Sequence, residues 1–173
     1  IQVIVNDALD RYFSISDPNF DNFLFLPKKE NFNFMESALI VHELQHIADE
    51  INSSAKTPYS PYESEKNSLQ AEKIFLSAFG FFKREKHSWL ESNLFYPLAF
   101  LELELSMYCQ EACDSDTFSK ICQKHEIDPI PFSPLYFEGA PFQMAMYCAA
   151  CIELETNWKN YLITEENFLY DSD

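Results

Sequence analysis

The segment HELQH, residues 42–46, carries two imidazoles and a carboxylate at a spacing that could do metal chemistry. Residues i and i+4 of a helix lie on one face, so His42 and His46 can direct ring nitrogens at one ion. Zinc suits such nitrogen ligands best. The carboxylate of Glu43 could accept a proton from water bound to that metal and pass it to a leaving group. These residues predict a metal site that activates water.

The helix expected to hold this motif is apolar over much of its circumference. Its apolar residues are Ala38, Leu39, Ile40, Val41, Leu44, Ile47 and Ile51. Histidines turned toward a core need polar partners, because an unpaired polar group in apolar surroundings is costly. A shared metal ion would satisfy both rings. The alternative is a pair of core histidines that bond to neighbouring carboxylates without any metal.

A small N-terminal sheet is expected to precede this helix. Short β-prone runs separated by turn residues predict two or three strands within the first 26 residues. Asn33, with Glu36 three residues later, has the reciprocal pattern of a capping box. We therefore expect the motif helix to run from Asn33 to about Asn52.

More helices are expected after the motif helix. Ser60 and Pro61 suit the N-cap and first position of a second helix, which would continue to about Arg84. A third helix would open at Ser88, with a kink or break at Pro97. A shorter fourth helix and a long last helix follow.

These elements predict an α+β fold that is predominantly α. We expect a single domain over residues 1–173, in which a small sheet (1–30) precedes the active-site helices (33–85) and a helical body (88–173).

Composition excludes several classes of function. Only 2 Gly occur, so no glycine-rich phosphate loop can be assembled. The net charge of −16 disfavours nucleic-acid partners and would steer a basic protein or peptide toward the chain. No apolar run approaches the roughly 20 residues that a membrane span needs.

The five cysteines, an odd number, predict reduced thiols in a cytosol-like setting. Two pairs, Cys109 with Cys113 and Cys148 with Cys151, would each lie along one side of a helix. Structural zinc sites usually place such pairs on turns, so we expect buried free thiols instead.

The HELQH helix, preceded by the β-prone segment NFLFLP, resembles the zincin metallopeptidases. The continuation HELQHIADEIN lacks the glycine and third histidine of metzincins, so the chain looks like the gluzincin branch. The resemblance covers about residues 22–80. It implies a zincin-like fold, about one zinc ion per chain, and a third zinc ligand that is a glutamate on the next helix.

Three glutamates compete for the third ligand position. Glu65 and Glu72 lie seven residues apart on nearly the same stripe as Leu69, where a carboxylate needs a partner. The segment PYESEK also resembles the family's placement of the ligand glutamate early in this helix. We therefore choose Glu65 and keep Glu72 as the alternative, while Glu63 is better explained as the capping partner of Ser60.

Peptide-hydrolysing zincins usually add a tyrosine or histidine that donates a hydrogen bond to the oxyanion formed during attack. Tyr59, Tyr62, His87 and Tyr96 are the candidates, and the sequence does not rank them.

The resemblance implies a zinc-dependent endopeptidase that hydrolyses a peptide bond of a specific protein substrate. His42, His46 and Glu65 would hold the metal, and Glu43 would act as general base. A bacterial toxin or effector protease delivered into a host cytosol would fit the expected reduced cysteines. The alternative is a non-catalytic interaction module with a structural or vestigial metal site, and a hydrolase for a bond other than a peptide also fits these residues.

Overall fold

The computed structural model describes residues 1–9, 12–15, 22–53, 60–109, 114–129 and 143–169, with side chains up to residue 157. Most of these residues are helical, and a small sheet lies at the N-terminal end, which confirms the predicted α+β class. The zincin-like assignment and the single domain stay predictions. By compactness the chain divides into two units, residues 1–95 and 96–173.

The sheet in the first unit has three strands within the described residues. They are β1 (Gln2–Asn6), β2 (Phe13–Ile15) and β3 (Phe23–Pro27). The strand order is β1-β3-β2, with β1 parallel and β2 antiparallel to the central β3. Leu24 and Leu26 alternate along β3 and are buried on one face, as expected for a half-buried strand.

The motif helix α1 (Phe34–Asn52) begins where the capping pattern predicts. The Asn33 side chain accepts from the Glu36 backbone N–H at 2.8 Å, and the Glu36 carboxylate accepts from the Asn33 backbone N–H at 2.9 Å. Ile47 of α1 is fully buried in one cluster with the two β3 leucines. This packing fixes α1 against the sheet.

The second helix, α2 (Pro61–Ala78), also starts as predicted, and Ser60 accepts a hydrogen bond from the backbone N–H of Glu63. It ends earlier than the expected Arg84. Gly80 adopts a left-handed conformation with φ of 70°, which suits glycine and stops the helix after its last turn.

The expected start of the third helix at Ser88 is wrong. Helix α3 spans Phe82–Leu90 and passes directly into a π-helical segment, Glu91–Phe95. The predicted break near Pro97 takes the form of this widened turn. Pro97 has no N–H to donate to the carbonyl of Asn93, so a regular α-helical hydrogen bond cannot form there.

The second unit contains three described helices, α4 (Tyr96–Tyr108), α5 (Ser115–Lys124) and α6 (Gln143–Leu169). Helix α4 packs against both others, and Phe100 stacks on Phe118 with ring centroids 4.7 Å apart. Every helix in the described ranges is too short or too polar to cross a lipid bilayer.

The described cysteines, Cys109, Cys122, Cys148 and Cys151, are free thiols, and all but Cys109 are buried. Burial raises the pKa of Cys148 to about 11, which keeps this thiol protonated and unreactive. Cys113 lies outside the described residues.

Candidate metal centre

The packing of α1 against α2 brings His42, His46 and Glu65 together. The two Nε2 atoms of the histidines lie 3.0 Å apart. The Glu65 carboxylate faces them, with Oε2 3.5 Å from Nε2 of His42 and Oε1 3.6 Å from Nε2 of His46. These are the three residues that the sequence predicted to hold zinc.

The three side chains lie close to the arrangement that a tetrahedral zinc ion requires. Zinc bonds to nitrogen and oxygen of roughly 2.0–2.1 Å require ligand atoms about 3.3–3.4 Å apart. The nitrogens lie 3.0 Å apart, but the separations of 3.5 and 3.6 Å run to different oxygens of Glu65. One ligand atom from each residue lies within 4.8 Å of the other two, so a movement of the Glu65 carboxylate toward the rings would bring one oxygen to the distance that zinc requires. Two imidazoles and one carboxylate also match the ligand chemistry of zinc.

The Glu65 carboxylate is itself a sign that a cation belongs here. Glu65 is 8% exposed, and its Oε2 atom has no hydrogen-bond partner among the described residues. A buried carboxylate oxygen without such a partner is costly, whereas a cation between it and the two rings would satisfy it. The residues present therefore fit zinc.

Both histidines are oriented through their other ring nitrogen. Nδ1–H of His42 donates to Oε1 of Glu72 at 2.6 Å, and Nδ1 of His46 lies 2.6 Å from the Ser64 hydroxyl. Contacts of this kind leave both Nε2 atoms available to a metal and fix the ring planes. Glu72, the alternative third ligand, thus contacts the side of His42 that faces away from the cluster.

Sequence reasoning missed two residues around Glu72. Trp89 donates its indole N–H to Oε2 of Glu72 at 2.8 Å, and Asn93 donates its side-chain amide to the same oxygen at 3.1 Å. No motif links these residues to HELQH, because they come from α3 and the π segment, more than 40 positions later.

Glu43 is half-buried beside the cluster, and a strand of the sheet contacts it. Ser14 of β2 donates its hydroxyl to Oε2 of Glu43 at 2.7 Å. Sequence reasoning missed Ser14 as well, since nothing in the sequence indicates which residue of β2 faces α1. The contact ties one oxygen of the Glu43 carboxylate to the sheet.

The two histidines differ in their pKa. Burial acts to lower the pKa of His42, but the nearby carboxylate of Glu65 and the hydrogen-bonded carboxylate of Glu72 outweigh it and raise the pKa to about 10. Burial lowers the pKa of His46, partly opposed by the charge of Glu65. In the metal-free protein a protonated His42 can therefore donate its Nε2–H to Nε2 of neutral His46.

The candidates for an oxyanion donor have varied surroundings. Tyr59 lies outside the described residues. Tyr62 is half-buried with the Lys66 ammonium 5.7 Å from its ring centroid, and His87 is exposed. The Tyr96 hydroxyl donates to the backbone carbonyl of Asp128 at 2.7 Å, a structural role within the second unit. The oxyanion donor stays a prediction from the sequence.

Comparison of the chain with models of protein families, with curated proteins and with solved structures finds no match.

The geometry predicts that Glu65, and not its neighbour Glu63, controls metal binding. Glu65→Ala removes one of three ligands and should abolish stoichiometric zinc binding at micromolar protein, measured by competition with a chromogenic chelator. Glu63→Ala is the matched control, because Glu63 is exposed and pairs with Lys66 at 2.8 Å. Equal zinc affinities of the two variants would contradict the ligand assignment.

Zinc binding should also displace a proton. The pKa of His42 is raised above its ordinary value, so the metal-free protein holds this proton throughout the neutral range and loses it only near pH 10. Because zinc requires a neutral ring, about one proton per zinc should be released near pH 6.5. Calorimetry in two buffers of different ionisation enthalpy measures this number. Zinc binding without proton release would mean that His42 is already neutral.

Proposed function

We propose that this chain is a zinc-dependent endopeptidase that hydrolyses a peptide bond of a specific protein substrate. The observation that carries the proposal is the convergence of two Nε2 atoms and a buried carboxylate, with one ligand atom from each residue within 4.8 Å of the others. Glu43, whose side chain can act as a general base, follows directly on the first histidine. The described residues supply three ligands, the number typical of catalytic zinc sites, whereas structural sites usually use four.

In this proposal the metal ligands, the general base and its hydrogen-bond partner have separate roles in peptide hydrolysis. Bound zinc would polarise the scissile carbonyl and lower the pKa of water at its open position to about 7. Glu43 would accept the proton of the attacking water and then donate it to the leaving amine. Ser14 holds one carboxylate oxygen of Glu43, which leaves the other oxygen for the proton transfer. His42, His46 and Glu65 would hold the metal in place.

The net charge supports a basic substrate segment. At −16, the chain attracts Lys- or Arg-rich protein segments over distances longer than a contact. The free thiols of the described cysteines are compatible with action in a reducing compartment, such as the host cytosol reached by a bacterial effector. Both features favour a protein substrate met inside a cell.

The alternative is an interaction module whose metal is structural. The burial of His42 and Glu65 favours it, because structural metals are usually enclosed by protein. The two functions differ in what they require of Glu43. A structural site needs no general base, whereas the peptidase depends on one.

Replacement of Glu43 by glutamine tests this dependence. Glu43→Gln should retain about one zinc per chain but lower the cleavage rate at least about 100-fold, because the amide cannot accept the proton. A peptide library made by digesting a cell lysate with a protease that cleaves after glutamate keeps Lys- and Arg-rich segments intact and serves as substrate. Mass spectrometry identifies the new termini. Rates are then compared on one peptide that the wild type cleaves.

Glu30→Gln is the matched control, since it makes the same chemical change at an exposed residue that precedes α1. It should leave the rate unchanged. Full activity of Glu43→Gln would remove this residue from the chemistry. Strong stabilisation by zinc, with no cleavage by the wild type, would favour the structural alternative.

A further inference from the structure

Glu72 is a fully buried carboxylate with both oxygens engaged. It is 0% exposed; Oε1 accepts from His42, and Oε2 accepts from Trp89 and Asn93. Two neutral donors on one oxygen stabilise the buried anion without neutralising it. The negative charge thus stays available to the ring of His42.

The indole of Trp89 is held so that its N–H keeps this direction. Trp89 is 0% exposed, and its ring makes a T-shaped contact with the ring of Phe82 at a centroid distance of 5.8 Å. The Lys73 ammonium lies 5.3 Å from the centroids of both rings, within the range of a cation–π contact. Rotation of the indole away from Glu72 would disrupt this packing.

Asn93 reaches the same oxygen from the next turn. Residues four apart share a helix face, so Asn93 follows Trp89 on the side that faces Glu72. Asn93 is buried and belongs to the π segment, whose wider turn precedes Pro97. Segments of this kind are frequent at functional sites. Here the segment contributes Asn93, which donates to Glu72, the carboxylate that orients the candidate zinc ligand His42.

We infer that Trp89 and Asn93 are positioning residues of the metal centre, which hold Glu72 against Nδ1 of His42 and so set the affinity of the site for zinc. The inference rests on the proposed zinc site formed by His42, His46 and Glu65. A fixed, charged acceptor on Nδ1 makes Nε2 a stronger donor to the metal and reduces the ordering that binding requires. The residues act through Glu72 and touch neither metal nor substrate.

The test measures zinc affinity by competition with a chromogenic chelator near pH 7.5. Asn93→Leu preserves the size of the side chain and removes its donor, and should weaken zinc binding roughly 10-fold. Trp89→Phe removes the indole N–H and keeps an aromatic ring, and should have an effect of similar size. Ser92→Ala is the matched control, because Ser92 is exposed in the same π segment; its affinity should equal that of the wild type.

A double-mutant cycle separates positioning from a general loss of structure. In a Glu72→Gln background the carboxylate is gone, so Asn93→Leu should cause no further loss of zinc affinity. Circular dichroism checks the fold of every variant. If Asn93→Leu fails to fold, Trp89→Phe takes its place in the same cycle.

Folded variants that bind zinc within about twofold of the wild type would overturn the inference, as would an equal loss with and without Glu72. If the wild type binds zinc, such results overturn only the role of Trp89 and Asn93, and the proposed zinc site stands. A wild type that binds no zinc would instead overturn both this inference and the proposed function, so the two failures are distinguishable.

Discussion

A buried carboxylate that faces two imidazoles is the interaction on which the first unit depends. Glu65 of α2 lies against His42 and His46 of α1, so the contact between these helices buries a negative charge. Such burial is costly unless a positive charge accompanies it. In the metal-free protein the proton on His42 supplies that charge, which is why its pKa rises to about 10. Zinc would supply the same charge and satisfy the second ring as well.

The sheet and helix α2 together hold the functional side chains of α1. The sheet holds Glu43 through Ser14, α2 holds His46 through Ser64, and Glu72 of α2 holds His42. The two histidines have different partners at Nδ1: His42 contacts the carboxylate of Glu72, whereas His46 contacts the neutral hydroxyl of Ser64. Because strands and helices carry these contacts, the candidate site is built on rigid elements of the fold.

The sequence predicted the elements and residues whose signals are local. The start of α1 follows from the reciprocal pair Asn33 and Glu36, and the histidines follow from the spacing of four. The choice between Glu65 and Glu72 was harder, because both lie on one stripe of α2. Only the way in which α2 packs on α1 decides which carboxylate faces the Nε2 atoms.

Contacts between distant segments left no signal in the sequence. Ser14 contacts Glu43 because β2 pairs antiparallel with β3, a sheet order that strand propensities do not encode. Trp89 reaches Glu72 because α3 begins at Phe82 rather than at the expected Ser88, which places the indole in the last turn of a helix. Each of these positions depends on tertiary packing.

The central claim is that two imidazoles and the Glu65 carboxylate converge on one ion. The most direct measurement is the anomalous scattering of a crystal of the zinc-loaded protein, collected at the zinc edge. The account predicts one strong peak about 2.0–2.2 Å from Nε2 of His42, Nε2 of His46 and an oxygen of Glu65, with Glu72 remaining on Nδ1 of His42. A peak beside Glu72 instead of Glu65, or a fourth protein side chain that closes the coordination sphere, would contradict it.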